Sequence, residues 1–128
     1  MIAADTSAWL DYSKGVESEA CRRLERCLRD GLLVLPPPVL FEILSGPGLT
    51  KEAERFIREL PTLESKPGYW PRAGELRRAL LGKGLKARAM DCLIAQSCMD
   101  HDVALIASDQ DFRHFSRFGL RLIGAASR

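Results

Sequence analysis

The chain has 128 residues, 46% of them apolar, with 19 basic and 17 acidic side chains and a net charge of +2. That length and apolar content suit a single domain over residues 1–128, which buries about two-thirds of its unfolded surface without needing disulfide or metal staples. No apolar run approaches the roughly 20 residues of a membrane span, and the early acid in "MIAADTSAWL" is unlike the core of a secretion signal, so a cytoplasmic protein away from the membrane is expected.

"MIAAD" reads as a short strand ending in Asp5, and Thr6 and Ser7 can cap a helix running to about Ser13, ended by Gly15. A second helix, from about Val16 to Asp30, repeats Ala20, Leu24, Cys27 and Leu28 at three- and four-residue spacing and stops at Gly31. "LLVLP" is a buried strand. Pro36 to Pro38 break it, and Pro38 suits the first helical position, where its missing N–H has no partner to lose. The helix that follows carries Glu42. Thr50 to Leu60 forms the next, with Glu52–Arg55 and Glu54–Arg58 pairs and Pro61 at its end.

A short strand at "TLES" precedes helices over Pro71 to Leu81 and Ala87 to His101, separated by "GKG". "VALIAS" is a strand by its run of small and branched apolar residues, "DQDFRHFSRF" a last helix and "LRLIG" a last strand. Five short strands alternating with helices predict an α/β three-layer sandwich, with a mostly parallel five-stranded sheet between helical layers, because parallel neighbours need helical crossovers. Cys21, Cys27, Cys92 and Cys98 fall in two pairs six apart, not in a C-x-x-C or Cys/His pattern, and are expected as reduced core thiols.

In such a sheet, ligands gather beyond the carboxyl ends of the strands. Asp5 and Asp109 stand there, and Glu42 lies on the helix after the second strand. Each acid also has a plainer reading. Asp5 can cap the helix at Thr6. Glu42 can sit on a solvated face, since Val39, Leu40, Ile43 and Leu44 form a stripe without it. Asp109 and Asp111 can help Ser108 cap the last helix. Asp91, in "AMDCLIA", falls beside Ile94 and Cys98, where a partly desolvated carboxylate wants a cation. Gathered in one pocket, the four would leave 19 basic residues against 13 acidic ones elsewhere, an acidic hole in a basic surface.

A hard divalent cation such as Mg²⁺ or Mn²⁺ makes clustered carboxylates tolerable, and an all-oxygen set without histidine suits activation of water against a phosphodiester. Arg72, Arg77, Arg78, Lys83, Lys86 and Arg88, facing only Glu75, are either contacts to a polyanion, which the resemblance given below implies to be RNA, or a solvated helix face. Tyr69 and Trp70 either stack on bases or fill core. Trp9 and Leu10 are expected to pack, and His101 and His114 to lie at the surface or at helix ends.

The stretches "AADTSAWLDY", "PPPVLFEILSG" and "MDCLIAQSCMDHDVALIASDQDF" together resemble, in order and spacing, the PIN-domain ribonucleases, specifically the VapC-type toxins of toxin–antitoxin pairs. The segment from Gly46 to Leu85 adds little to that resemblance. It implies coordination of Mg²⁺ or Mn²⁺ by Asp5, Glu42, Asp91 and Asp109, with Thr6 or Ser7 hydrogen-bonding to the ligands and Asp111 as an alternative holder of water at the metal. It further implies an endoribonuclease acting on transfer or ribosomal RNA, a homodimer, and a cognate antitoxin that silences it. The alternative is a catalytically weak PIN-like module that only holds RNA or protein. A receiver domain is excluded by the lack of an acid ending the third strand, a haloacid-type phosphatase by Asp5-Thr6-Ser7, and a dinucleotide-binding domain by the absent G-x-G-x-x-G.

Overall fold

Prolines decide how far the sheet extends. The computed structural model describes residues 1–123, so Gly124, the last residue of the expected strand "LRLIG", lies outside the described residues. Three strands, β1 (Ile2–Ala4), β2 (Ala104–Ile106) and β3 (Leu122–Ile123), pair in parallel in the order β1-β2-β3. Ile2 faces Ala104 and Ala4 faces Ile106 across the first pair, while Leu105 faces Leu122 across the second.

Two more segments run alongside, each held by a single parallel bridge: Ile2 to Leu33, and Leu35 to Thr62. The five-stranded ladder expected from "LLVLP" and "TLES" is therefore three strands and two bridged segments. The hydrogen bonds show why. The Ile2 N–H donates to Leu32 O and the Val34 N–H to Ile2 O, so the next rung would need an N–H at residue 36, which is proline. On the outer side, Leu35 donates to Pro61 O and Leu63 donates to Leu35 O; the neighbouring rungs would need N–H groups at Pro61 and Pro37.

Six helices fill the connections: α1 (Thr6–Ser13), α2 (Glu19–Arg29), α3 (Pro37–Leu44), α4 (Lys51–Glu59), α5 (Tyr69–Gly82) and α6 (Ala89–Asp100). Side-chain oxygens of Asp5, Ser18 and Thr50 cap α1, α2 and α4. Pro37, one residue earlier than expected, takes the first position of α3. The start of α5 at Tyr69 rather than Pro71 follows from Gly68, whose φ of +83° turns the chain into the helix.

Successive residues Ala3 and Ala4, and Leu105 and Ile106, have no exposed surface although they point to opposite faces of the sheet. Both faces are therefore covered by helices, as a parallel sheet requires. All four cysteines are free and buried. Among the described residues no helix is long and apolar enough to cross a membrane. The last expected helix, Gln110–Phe118, is a 3₁₀ segment instead. Its phenylalanines recur every third residue, matching three residues per turn, so Phe112 and Phe115 are buried on one face and Phe118 packs behind them.

Leu105 is at the centre of this arrangement, and Leu105→Ala should cost about 3 kcal/mol, against a smaller loss for Leu122→Ala on the half-buried outer strand. Chemical denaturation of both variants measures this; equal losses would contradict the central placement of β2.

Candidate active site

The strand register brings the first acids together. Since Ala4 pairs with Ile106, the chain leaves both strands at the same edge, and the Asp5 N–H continues the ladder by donating to Ile106 O at 2.9 Å. The Asp5 carboxylate is 1% exposed. Its Oδ1 accepts the Ala8 N–H at 2.7 Å, which caps α1, and its Oδ2 accepts the Ser108 and Asp109 N–H groups at 3.2 and 3.3 Å. The capping role and the site role fall on one side chain. Burial pushes its pKa up to about 6, with the nearby Asp109 charge adding to the rise and the three backbone donors opposing it.

Glu42 is half-buried and accepts a hydrogen bond from Thr6 Oγ1 at 2.5 Å, so it faces the acids and not open solvent. Ser7, the other expected hydroxyl, is exposed: neighbouring helix residues point about 100° apart, and only one of the pair can face the edge. Asp91 is in the first turn of α6, which runs back toward the start of β2, so its N-terminus lies over the carboxyl edge of the sheet. Burial raises the Asp91 pKa to about 6, helped by the charges of Asp109, Glu42 and Asp111 and opposed by Arg88. Asp109 acts on both Asp5 and Asp91, while Glu42 and Asp111 act on Asp91, so Asp109 is the link between the Asp5 and Asp91 ends of this edge. Among the described residues, however, no three of them stand close enough to form a ready-made metal cage.

Ser108 does not cap the last segment. That role belongs to Asp109, whose Oδ1 accepts the Asp111 N–H at 2.9 Å, while Ser108 leaves its Oγ buried without a partner beside the acids. The "IASDQD" signal could have marked this hydroxyl, but its capping reading absorbed it. Asp111 pairs with Lys86, Nζ to Oδ2 3.2 Å.

The basic run divides. Arg72 is not at the site: its guanidinium grips Asp100 at 3.0 and 2.6 Å and Pro67 O at 2.9 Å, about 14 Å along α6 from Asp91. Gln96 also donates to Asp100, whose carboxyl is held below its usual pKa chiefly by the Arg72 bond. Arg77 donates to Ala87 O at 2.9 Å and so braces the connector before α6. Arg78 and Lys83 are exposed, and Lys86 and Arg88 border the acids. Tyr69 is core, its hydroxyl donating to Leu93 O at 2.6 Å, whereas Trp70 is 66% exposed. Trp9 packs as expected and Leu10 does not. His101 lies at the C-terminal end of α6, against Glu64 O.

The PIN domain family profile matches residues 2–117. The chain belongs to the PIN-domain family. It is 32% identical to Ribonuclease VapC11 of Mycobacterium tuberculosis and, equally, to VapC ribonuclease Mb1587 of Mycobacterium bovis, over 91% of this chain and 92% of each relative. Among solved structures it has the fold of VapBC2 from Rickettsia felis bound to a promoter DNA fragment (TM-score 0.70, 23% identity, 96% of this chain and 98% of that one). VapBC from Salmonella typhimurium bound to DNA is similar (TM-score 0.68, 22% identity, 96% and 98%). The PIN fold thus accounts for the parallel sheet and the helices that flank it.

The raised carboxyls make a pH prediction. The unfolded chain releases these protons near 3.8 and the folded protein near 6, so across that interval the folded state holds more protons and loses stability as pH rises. In EDTA, Asp5 alone should lower stability by about 2–3 kcal/mol over that interval. Asp91→Asn should be more stable than the parent above pH 6 and show a flatter profile, read by thermal denaturation at several pH values. A parent whose stability climbs through the interval would contradict the burial of these charges.

Proposed function

We infer that the chain is a divalent-metal-dependent endoribonuclease of the VapC type, the toxin half of a toxin–antitoxin pair. The observation that supports this reading is Asp109 at the end of the second strand, in electrostatic range of both Asp5 and Asp91, with Glu42 in range of Asp91, in a PIN-domain chain 32% identical to named ribonucleases.

The donor set fits Mg²⁺ or Mn²⁺. It is all oxygen, two of its carboxyls are destabilised as anions by burial and by their neighbours, and the Ser108 hydroxyl beside it is buried and unpaired. Asp5, Glu42, Asp91 and Asp109 would hold the ion, and Thr6 keeps Glu42 turned toward it. A divalent cation supplies Lewis acidity there, lowering the pKa of water and neutralising charge on the phosphate oxygens. The chain supplies the rest. Asp5 locks the ends of β1 and β2 together, so the carboxylates around it hold fixed positions. Asp111 stands at the rim of this set, paired with Lys86. Arg78, Lys83, Lys86 and Arg88 offer a cationic approach for RNA, whose phosphates position it without reading sequence.

An antitoxin partner is supported by the likeness in fold to VapBC2 and VapBC and by apolar surface near the site. Leu10, one helical turn beyond Thr6, and Phe41, next to Glu42, are 45% and 62% exposed. The protein acts in this reading as a homodimer in the cytoplasm, on transfer or ribosomal RNA. The absence of a closed carboxylate cage among the described residues favours, as second reading, a PIN-like module that holds RNA or protein without cutting.

Incubation with total RNA in Mg²⁺, in Mn²⁺ and in EDTA decides between them. Discrete fragments are expected with metal only, and Asp91→Asn should lose them by about 10²-fold or more while keeping its fold by circular dichroism. Salt-sensitive RNA binding with no fragments in either metal would favour the module.

A further inference from the structure

Lys86 occupies a position that no general basic surface requires. It lies in the connector between α5 and α6, five residues before Asp91, and its ammonium meets the carboxylate of Asp111 at 3.2 Å. The backbone on either side is fixed. Leu85 packs against the core and donates to Leu80 O at 3.1 Å, and Ala87 is buried, its carbonyl held by Arg77. Gly84, at φ +72°, makes the turn that allows this.

Asp111 is fixed as well, its N–H bound to Asp109 Oδ1 at 2.9 Å. The connector and the 3₁₀ segment thus hold a cation and its counter-ion at the rim of the acids. The Lys86 side chain is still 56% exposed, against 30% for Asp111. Arg72 and Arg77 are committed to Asp100 and Ala87; Arg88 acts on Asp91 from a distance, and among the described residues Lys86 is the cation of the run that forms an ion pair with an acid of this edge.

We propose that Lys86 is the contact to the RNA phosphate at the cleavage site and that Asp111 is its positioning residue, holding the ammonium over the acids until a phosphate oxygen replaces the carboxylate. The proposal deepens the nuclease reading and rests on it. An ammonium is a compact point charge with three donors, suited to exchanging one anion for another. The exchange needs an exposed partner, because a buried carboxylate left unpaired would be costly, and Asp111 keeps access to water. Asp111 and Asp109 differ in their partners: both act on Asp91, but Asp109 also caps the segment and acts on Asp5, whereas Asp111 pairs with the lysine.

The test uses the full chain, with labelled single-stranded RNA of mixed sequence in EDTA for binding and total RNA in Mg²⁺ for cleavage. Lys86→Gln should weaken binding and reduce the slope of log affinity against log salt by about 0.7, the share of one phosphate on a single strand. Cleavage should fall about 10²-fold. Lys86→Arg should keep the slope and recover part of the rate. Asp111→Asn should bind RNA more tightly in EDTA, since no carboxylate then competes for the ammonium, yet cleave more slowly. The double variant should be no slower than Lys86→Gln alone, because Asp111 acts through Lys86. An unchanged slope in Lys86→Gln, weaker binding by Asp111→Asn, or losses that multiply in the double variant would each overturn the proposal. If the parent protein cuts nothing, the nuclease reading falls, and the binding slopes in EDTA still decide whether Lys86 meets a phosphate.

Discussion

The structure depends on one carboxylate. Asp5 is buried at the point where β1 ends and α1 begins, and it accepts N–H donors from α1 and from the end of β2 at once. A neutral side chain of the same size could make some of these bonds, but only an anion draws three donors and also contributes charge to an acidic edge. Burial works against that anion and leaves its pKa near 6, so the chain stores unfavourable electrostatics where the strands end. Perturbed carboxyls of this kind cluster where ligands bind, because a bound cation relieves what the fold alone cannot.

The rest of the site is arranged around that point by helix starts. α1 presents Thr6, which turns Glu42 inward, and α6 presents Asp91 in its first turn. The 3₁₀ segment opens with Asp109 and Asp111. Helix N-termini carry partial positive charge and unpaired N–H groups, so they stabilise acids there and can also stabilise phosphate. The same helix starts that let the carboxylates crowd also leave unpaired N–H groups at this edge.

Basic residues close in sequence do different work. Arg72 is spent on Asp100 and Arg77 on a backbone carbonyl, and both act as braces between α5 and α6. A carboxylate as enclosed as Asp100 needs a cation, and the planar fork of arginine meets both of its oxygens. The lysines stay at the surface, where their heads are solvated and their partners can exchange. The two roles look alike in a charge count.

Chain order and residue type alone set much of this protein: the helices, the strands that end in acids, the buried thiols, and four carboxylates with a hydroxyl pattern that resembles PIN domains. These were legible because helix periodicity, caps and apolar runs are local properties. The number of true strands was not, since a run such as "LLVLP" shows apolar character but not whether Pro36, Pro37 and Pro61 fall on the rungs that a ladder needs. Neither was the turning of Glu42 by Thr6 and not Ser7, the unpaired Ser108 hydroxyl, or the division of the basic run, because each depends on which atoms from distant segments meet. The sequence by itself determined which groups the protein has and roughly which edge they reach. Only the tertiary structure decided which charges are already paired and which remain available, because pairing is a matter of distances of a few ångströms between residues as far apart in the chain as Asp5 and Ser108.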